Sequence, residues 1–143
     1  MFGIKQSDCK FYVNENARTV VCVIPNTDSM LNDFIYENFR WDDFDVWSYM
    51  DTKMMRTLKL PHSFMGKAVC SEEDEWNEEL GRMIAFSRAK NKCYKSFFKR
   101  ANKLVQILDG RLGDMISTFN DFGLRLEHKH VALQQQIEER IKK

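Results

Sequence analysis

Hydrophobic and polar residues follow three different rhythms along this chain. The first is short and strand-like. In "KFYVNENARTVVCVIP" the β-branched and aromatic runs 11–13 and 19–24 flank a polar "NENA" turn, and Pro25 ends the second run. This pattern predicts a β-hairpin. The second run is almost wholly apolar, as expected of a strand covered on both faces. "SFMGKAVC" has the same character and is expected to join the hairpin as a third strand.

Residues 28–58 hold neither period for long. "DSMLNDFIYENFRW" predicts a helix starting at Asp28 or Ser29, with Met30, Leu31, Phe34 and Ile35 on one face. "DDFDVWSYMDTKMMRTLKL" reads either as a second short helix or as an irregular aromatic segment.

The third rhythm is helical and persists from Ser71 to the end of the chain. Ser71 has the chemistry of an N-cap, with Asp74 three residues on as the reciprocal acid of a capping box. Leu80, Ile84, Ser87, Asn91, Tyr94, Phe98, Ala101, Val105 and Leu108 then recur by fours and threes. Leu112, Met115, Phe119, Phe122 and Leu126 keep the register, and His130, Leu133, Ile137 and Ile141 carry it on after a one-residue slip. Such a heptad favours left-handed packing of one helix on another. "DGRLGD" at 109–114 interrupts the run with a turn signal and two glycines. The expectation is an antiparallel helical hairpin with arms of about 71–108 and 112–141. The alternative, one uninterrupted helix, would have to bury its seam on a partner chain. Either way the chain is expected to self-associate through these helices, as a dimer or a larger homo-oligomer.

Together these elements predict an α+β fold: a small N-terminal antiparallel β-sheet followed by a long C-terminal helical hairpin. Residues 1–70 would hold the sheet and an acidic aromatic segment, and residues 71–143 the long helices, within one compact domain. The length of 143 residues suits a single core that needs no staples. Two prolines, six glycines and a 43% hydrophobic fraction argue against disorder. A net charge of +1 gives no global attraction to nucleic acid or to a membrane surface, so any such binding needs local segregation of charge. Met1 precedes "FGIKQSDCKF" with no long apolar core, and no apolar run approaches a membrane span. Cys9, Cys22, Cys70 and Cys93 are widely spaced, unlike the paired ligands of a structural zinc site. These features point to a cytoplasmic protein with reduced, mostly buried thiols, no membrane contact, no metal and no cofactor.

Candidate chemistry is sparse. No G-x-S-x-G, H-E-x-x-H, Walker or dinucleotide motif is present. His128 and His130 are two apart, so on a helix they diverge and cannot share a metal. The acids of "EEDEWNEE" crowd the expected first turns of a helix, where carboxylates are solvated rather than tuned for acid–base work. The expectation is a protein that is not an enzyme.

Two constellations remain. Arg88, Lys92 and Lys95 share a helix face, with Asn91 and Ser87 beside them in the seam. Two polar residues in an apolar seam can fix register, or open a polar pocket where helices meet. An anion there would find guanidinium and ammonium donors, and Trp76 or Tyr94 could stack on a base. The bland reading is a solvated stripe. The second constellation sets Asp42, Asp43 and Asp45 among Trp41 and Trp47. It suits either a surface docking a basic protein or aromatics that cap the sheet while the acids solvate its outside.

The strand "TVVCVI" and the stretch "FMGKAVCSEEDEWNEELGRMIAFSRAKNK" together resemble small accessory proteins carried by phages and prophages of Gram-positive bacteria. The matching positions are Gly66, Ala68, Cys70, Asp74, Trp76, Asn77, Gly81, Ile84, Ala85, Arg88, Ala89 and Lys92, with Trp76 where that pattern has Phe. The match spans about a quarter of the chain and reads as a fold signature, with no catalytic role to carry over. The resemblance implies a counter-defence setting. One such class, which includes anti-Thoeris proteins, acts as a sponge for nucleotide second messengers and builds ligand pockets between the chains of compact α+β oligomers. Another class, the anti-CRISPR proteins, occludes effectors with acidic surfaces. The leading expectation is a non-enzymatic protein that sequesters a small anionic nucleotide through Arg88, Asn91, Lys92, Lys95, Trp76 and Tyr94. The alternatives are an inhibitor docking a host defence protein through Trp41, Asp42, Asp43, Asp45 and Trp47, and a purely structural helical assembly protein.

Overall fold

The computed structural model describes residues 3–41, 44–45 and 50–142, with backbone only at 40, 41, 44, 45, 53 and 57. Its strands are β1 (Lys10–Asn14), β2 (Thr19–Ile24), β3 (Arg40–Trp41), β4 (Phe44–Asp45) and β5 (Phe64–Val69). Its α-helices are α1 (Met30–Asn38), α2 (Thr52–Leu58) and α3 (Glu78–Ile141). The class is α+β, as the periodicities predict.

The three expected strands form one antiparallel sheet in the order β1-β2-β5. Asn14 pairs with Thr19, which leaves residues 15–18 as the hairpin loop. Arg18 closes that loop in the left-handed region, at φ 50°. A non-glycine residue there carries some strain, and Arg18 has compensating bonds. Its carbonyl accepts from Cys70 N at 2.9 Å. Its guanidinium donates to Cys70 Sγ at 3.1 Å and to the Asp74 carbonyl. The hairpin is thereby tied to the segment that enters α3.

One face of the sheet carries Val20, Cys22, Ile24, Gly66 and Ala68, and α3 lies across it with Ala85, Ala89 and Cys93 fully buried. Small residues at four-residue spacing make a shallow helix surface, so the two backbones approach closely. Gly66 is the point of closest approach: a Cβ there would collide with the Ala85 carbonyl and the Ala89 amide nitrogen. Burial pushes the Cys22 thiol up to about 12 and the Cys93 thiol up to about 11, so both remain neutral and behave as small hydrophobes. All four cysteines are free.

α1 meets the further part of this helix face. Met30 Sδ lies 3.7 Å from Cys93 Sγ, and the Phe34 ring meets Phe97 edge-on at 5.5 Å. Thr27 fixes the entry to α1, its amide donating to the His62 carbonyl and its hydroxyl to that of Pro61. α2 is capped by Asp51, whose carboxylate accepts from Met54 N at 2.7 Å.

Three expectations are corrected. The helix begins at Glu78, and its cap is Asn77 rather than Ser71: Asn77 Oδ1 accepts from Leu80 N at 3.0 Å. Residues 71–77 instead carry the chain from the sheet to the helix, with Trp76 packed on the core on the way. The hairpin of arms 71–108 and 112–141 is replaced by one helix of 64 residues. Neither Gly110 nor Gly113 adopts a positive φ. Glycine in a helix interior costs about 1 kcal/mol without ending the helix, and no proline is present to end it.

The third correction concerns the seam. Its expected burial against a second helical arm of the same chain does not occur, because the hairpin is replaced by one helix. The buried stripe is Ala85, Ala89, Cys93 and Phe97, while Leu80, Ile84, Phe98, Val105, Leu112, Met115, Phe119, Phe122 and Leu126 are exposed. The chain divides into two compact units, Met1–Lys103 and Leu104–Lys143, with the boundary inside α3. No described helix is long and apolar enough to cross a membrane.

Candidate functional site

The basic stripe of α3 lies along the outer strand of the sheet. Arg88 Nη1 donates to the Lys67 carbonyl at 2.6 Å, and Lys92 Nζ donates to the Met65 carbonyl at 2.9 Å. β5 has a strand neighbour on one side only. Arg88 and Lys92 therefore satisfy carbonyls that a further strand would otherwise take, which blunts this edge against unwanted pairing. The same bonds hold two exposed cations one helical turn apart, with Asn91 and Lys95 also exposed beside them. Each head group keeps further N–H donors, so an anion lying along this edge would meet oriented partners.

The expected aromatic partners are placed elsewhere. Tyr94 is half-buried, its hydroxyl accepting from Ile4 N at 3.4 Å, and Lys90 Nζ lies 5.5 Å from its ring centre. Trp76 lines a cleft of about 350 Å³ at the start of α3, together with Arg18, Cys70, Asp74 and Leu80. Of the six residues expected to bind a ligand, Trp76 alone lines this cleft. Within a single chain, then, Arg88, Asn91, Lys92 and Lys95 form a group, and Trp76 and Tyr94 stand apart from it.

Arg18 was not legible as a site residue, since a lone arginine after a turn carries no pattern. Its signal is positional: it ends a four-residue hairpin loop, where the left-handed conformation aims its side chain at the 70–74 segment. The remaining ionisable cluster described is small. His62 Nδ1 lies 3.2 Å from Asp28 Oδ1, and Lys59 Nζ lies 3.8 Å from Asp28 Oδ2. Its own backbone N–H, ahead of His62 and Lys59, holds the Asp28 carboxyl below its usual value.

Comparison with protein-family models, with curated proteins and with solved structures gave no match. No function is carried over from a relative. Among the described residues no group of three or more His, Cys, Asp or Glu could hold a metal ion. Asp42, Asp43 and Trp47 lie outside the described residues, as do the side chains of Trp41 and Asp45.

Among the described residues α3 leaves a line of apolar side chains uncovered. The nine exposed seam residues from Leu80 to Leu126 are continued by Leu133, Ile137 and Ile141. Heptad spacing of this kind is the pattern by which helices pack on one another.

Proposed function

We propose that this chain is a non-enzymatic binding protein that works as a homo-oligomer joined along α3 and sequesters a small anionic ligand of nucleotide type. The observation that carries the proposal is the uncovered heptad face. Each of its nine side chains from Leu80 to Leu126 offers on the order of 100 Å² to a partner. The face therefore reaches the roughly 800 Å² per partner of a standard specific interface. A second copy carries the same spacing and is the self-complementary occupant.

The ligand half of the proposal is supported by Arg88 and Lys92, which the β5 carbonyls hold in place beside Asn91 and Lys95. Pre-orientation of this kind lowers the ordering cost of binding an anion. A phage counter-defence role, which the resemblance implies, belongs to the same proposal.

The test begins by denaturing the purified protein after exposure to a cell lysate and identifying the released small molecules by mass spectrometry. Release of a nucleotide is expected. Its affinity should then fall about tenfold or more in Arg88→Glu, which inverts the charge of a charge-assisted contact. Arg88→Gln keeps a donor for the Lys67 carbonyl, so a similar loss in that variant separates the lost charge from a damaged sheet edge. If no anion is released, or if both variants bind it as the parent does, the ligand half is wrong and the protein is an assembly factor.

A further inference from the structure

Resting on the self-association proposed above, the geometry points to a parallel, in-register pairing of two α3 helices that completes an anion site neither copy holds alone. The seam fixes the assignment. Ile84, Asn91, Phe98, Val105, Leu112, Phe119 and Leu126 fall at the a positions of successive heptads, and Leu80, Ser87, Tyr94, Ala101, Leu108, Met115 and Phe122 at the d positions. Asn91 is the sole polar residue among those a positions. In a parallel pair it meets its own copy, and two asparagine side chains can hydrogen-bond across the interface. Shifting the register by one heptad would instead set this amide against Ile84 or Phe98 and leave it unsatisfied, and in an antiparallel pair it would face d positions, of which only Ser87 and Tyr94 carry a hydroxyl to bond it.

Sterics allow this pairing, because the face bearing Ala85, Ala89 and Cys93 is the one that packs on the sheet. The line through Ile84, Asn91 and Phe98 is exposed on the other side of the helix. At the d position Tyr94 is half-buried against the core, so a second copy meets the exposed Ile84, Ser87, Asn91 and Phe98 side of this seam.

The flanking charges give the pairing its function. Lys90 occupies a g position and Lys95 the following e position, so parallel pairing sets Lys90 of each copy beside Lys95 of its partner. Four lysines then flank the Asn91 pair, the Lys90 copies holding their ammonium groups over their own Phe86 and Tyr94 rings, with Arg88 at the preceding e position. No acidic residue occurs in α3 between Glu79 and Asp109. The compensating charge is not supplied by the helices, and a polyphosphate ligand supplies it. The site is therefore two-fold symmetric, and the ligand is one polyanion per pair of chains.

Sedimentation equilibrium at constant ionic strength, with and without inorganic triphosphate, tests this directly. The wild-type pair is expected to tighten about fivefold with triphosphate, as two like-charge contacts are relieved. Lys95→Glu converts both lysine contacts into ion pairs, so it should tighten the pair without triphosphate and abolish the response. A Lys95→Glu pair that is looser, or that still responds to triphosphate, overturns the parallel register while leaving self-association standing. A wild-type chain that is monomeric under all conditions overturns both.

Discussion

Gly66→Val is expected to destabilise the sheet-and-helix unit by about 3 kcal/mol or more, which lowers its melting temperature by roughly 10–20 °C. Local preference argues the other way, since valine suits a strand better than glycine. Tertiary packing decides the sign. Gly66 pairs with Cys22 in the sheet and faces α3, where a Cβ would meet the Ala85 carbonyl and the Ala89 backbone. A side-chain neighbour could rotate away, but a helix backbone cannot, so α3 must lift off the sheet. Lifting it uncovers Ala85, Ala89 and Cys93 together. Urea or thermal unfolding followed by circular dichroism measures the effect. Gly113→Ala is the control, because nothing lies within 4 Å of that glycine. A Gly66→Val protein as stable as the parent would refute the close helix–sheet contact.

Phe119→Asp is expected to dissociate the homo-oligomer proposed above. Phe119 is 68% exposed in the isolated chain and stands in the middle of the uncovered face. Removing its burial costs about 3 kcal/mol per copy, or roughly 6 kcal/mol per pair, and a desolvated carboxylate adds to this. The dissociation constant should rise by about four orders of magnitude. A second effect follows from the helix itself. Gly110, Gly113 and Gly123 each weaken it by about 1 kcal/mol, and a Cβ added at any of them would meet nothing within 4 Å beyond the helix's own backbone, so no close packing explains them. Most helical stability in proteins comes from packing of an apolar face, which this stretch would then lack. The Phe119→Asp protein should therefore lose helical signal from residues 104–141 while the sheet unit keeps its cooperative transition. Unchanged mass and unchanged ellipticity would contradict the account.

The elements that sequence patterning located well are those whose burial follows large side chains. The β1–β2 hairpin lies where its β-branched runs and polar turn put it, and β5 pairs with β2 in the expected antiparallel sense. The seam was legible for the same reason, being built of Leu, Ile, Phe and Met. What it faces was not legible, because periodicity reports that a face is apolar and not which surface covers it. The true core stripe was missed since Ala85, Ala89 and Cys93 carry little hydrophobic signal, although they are among the most buried residues.

The two errors in helix boundaries have separate causes. Ser71 and Asp74 have cap chemistry, but Trp76 must reach the core before the helix can start, and Asn77 then supplies the cap. "DGRLGD" has turn chemistry, but glycine only weakens a helix, and the helix-forming residues on both sides carry it through with no glycine at positive φ. In the candidate site, the clustering of Arg88, Asn91, Lys92 and Lys95 followed from helical spacing. Their engagement with the β5 carbonyls did not, since it depends on how α3 lies on the sheet. The separation of Tyr94 from that group has the same origin, in its bond to Ile4.

The proposed joining of copies of this chain along α3 is tested by the mass of the native protein in solution. Light scattering coupled to size-exclusion chromatography should give a multiple of the 17.0 kDa chain mass, about twice that value if two helices pair. A mass of 17.0 kDa maintained at micromolar and higher concentrations would contradict the claim.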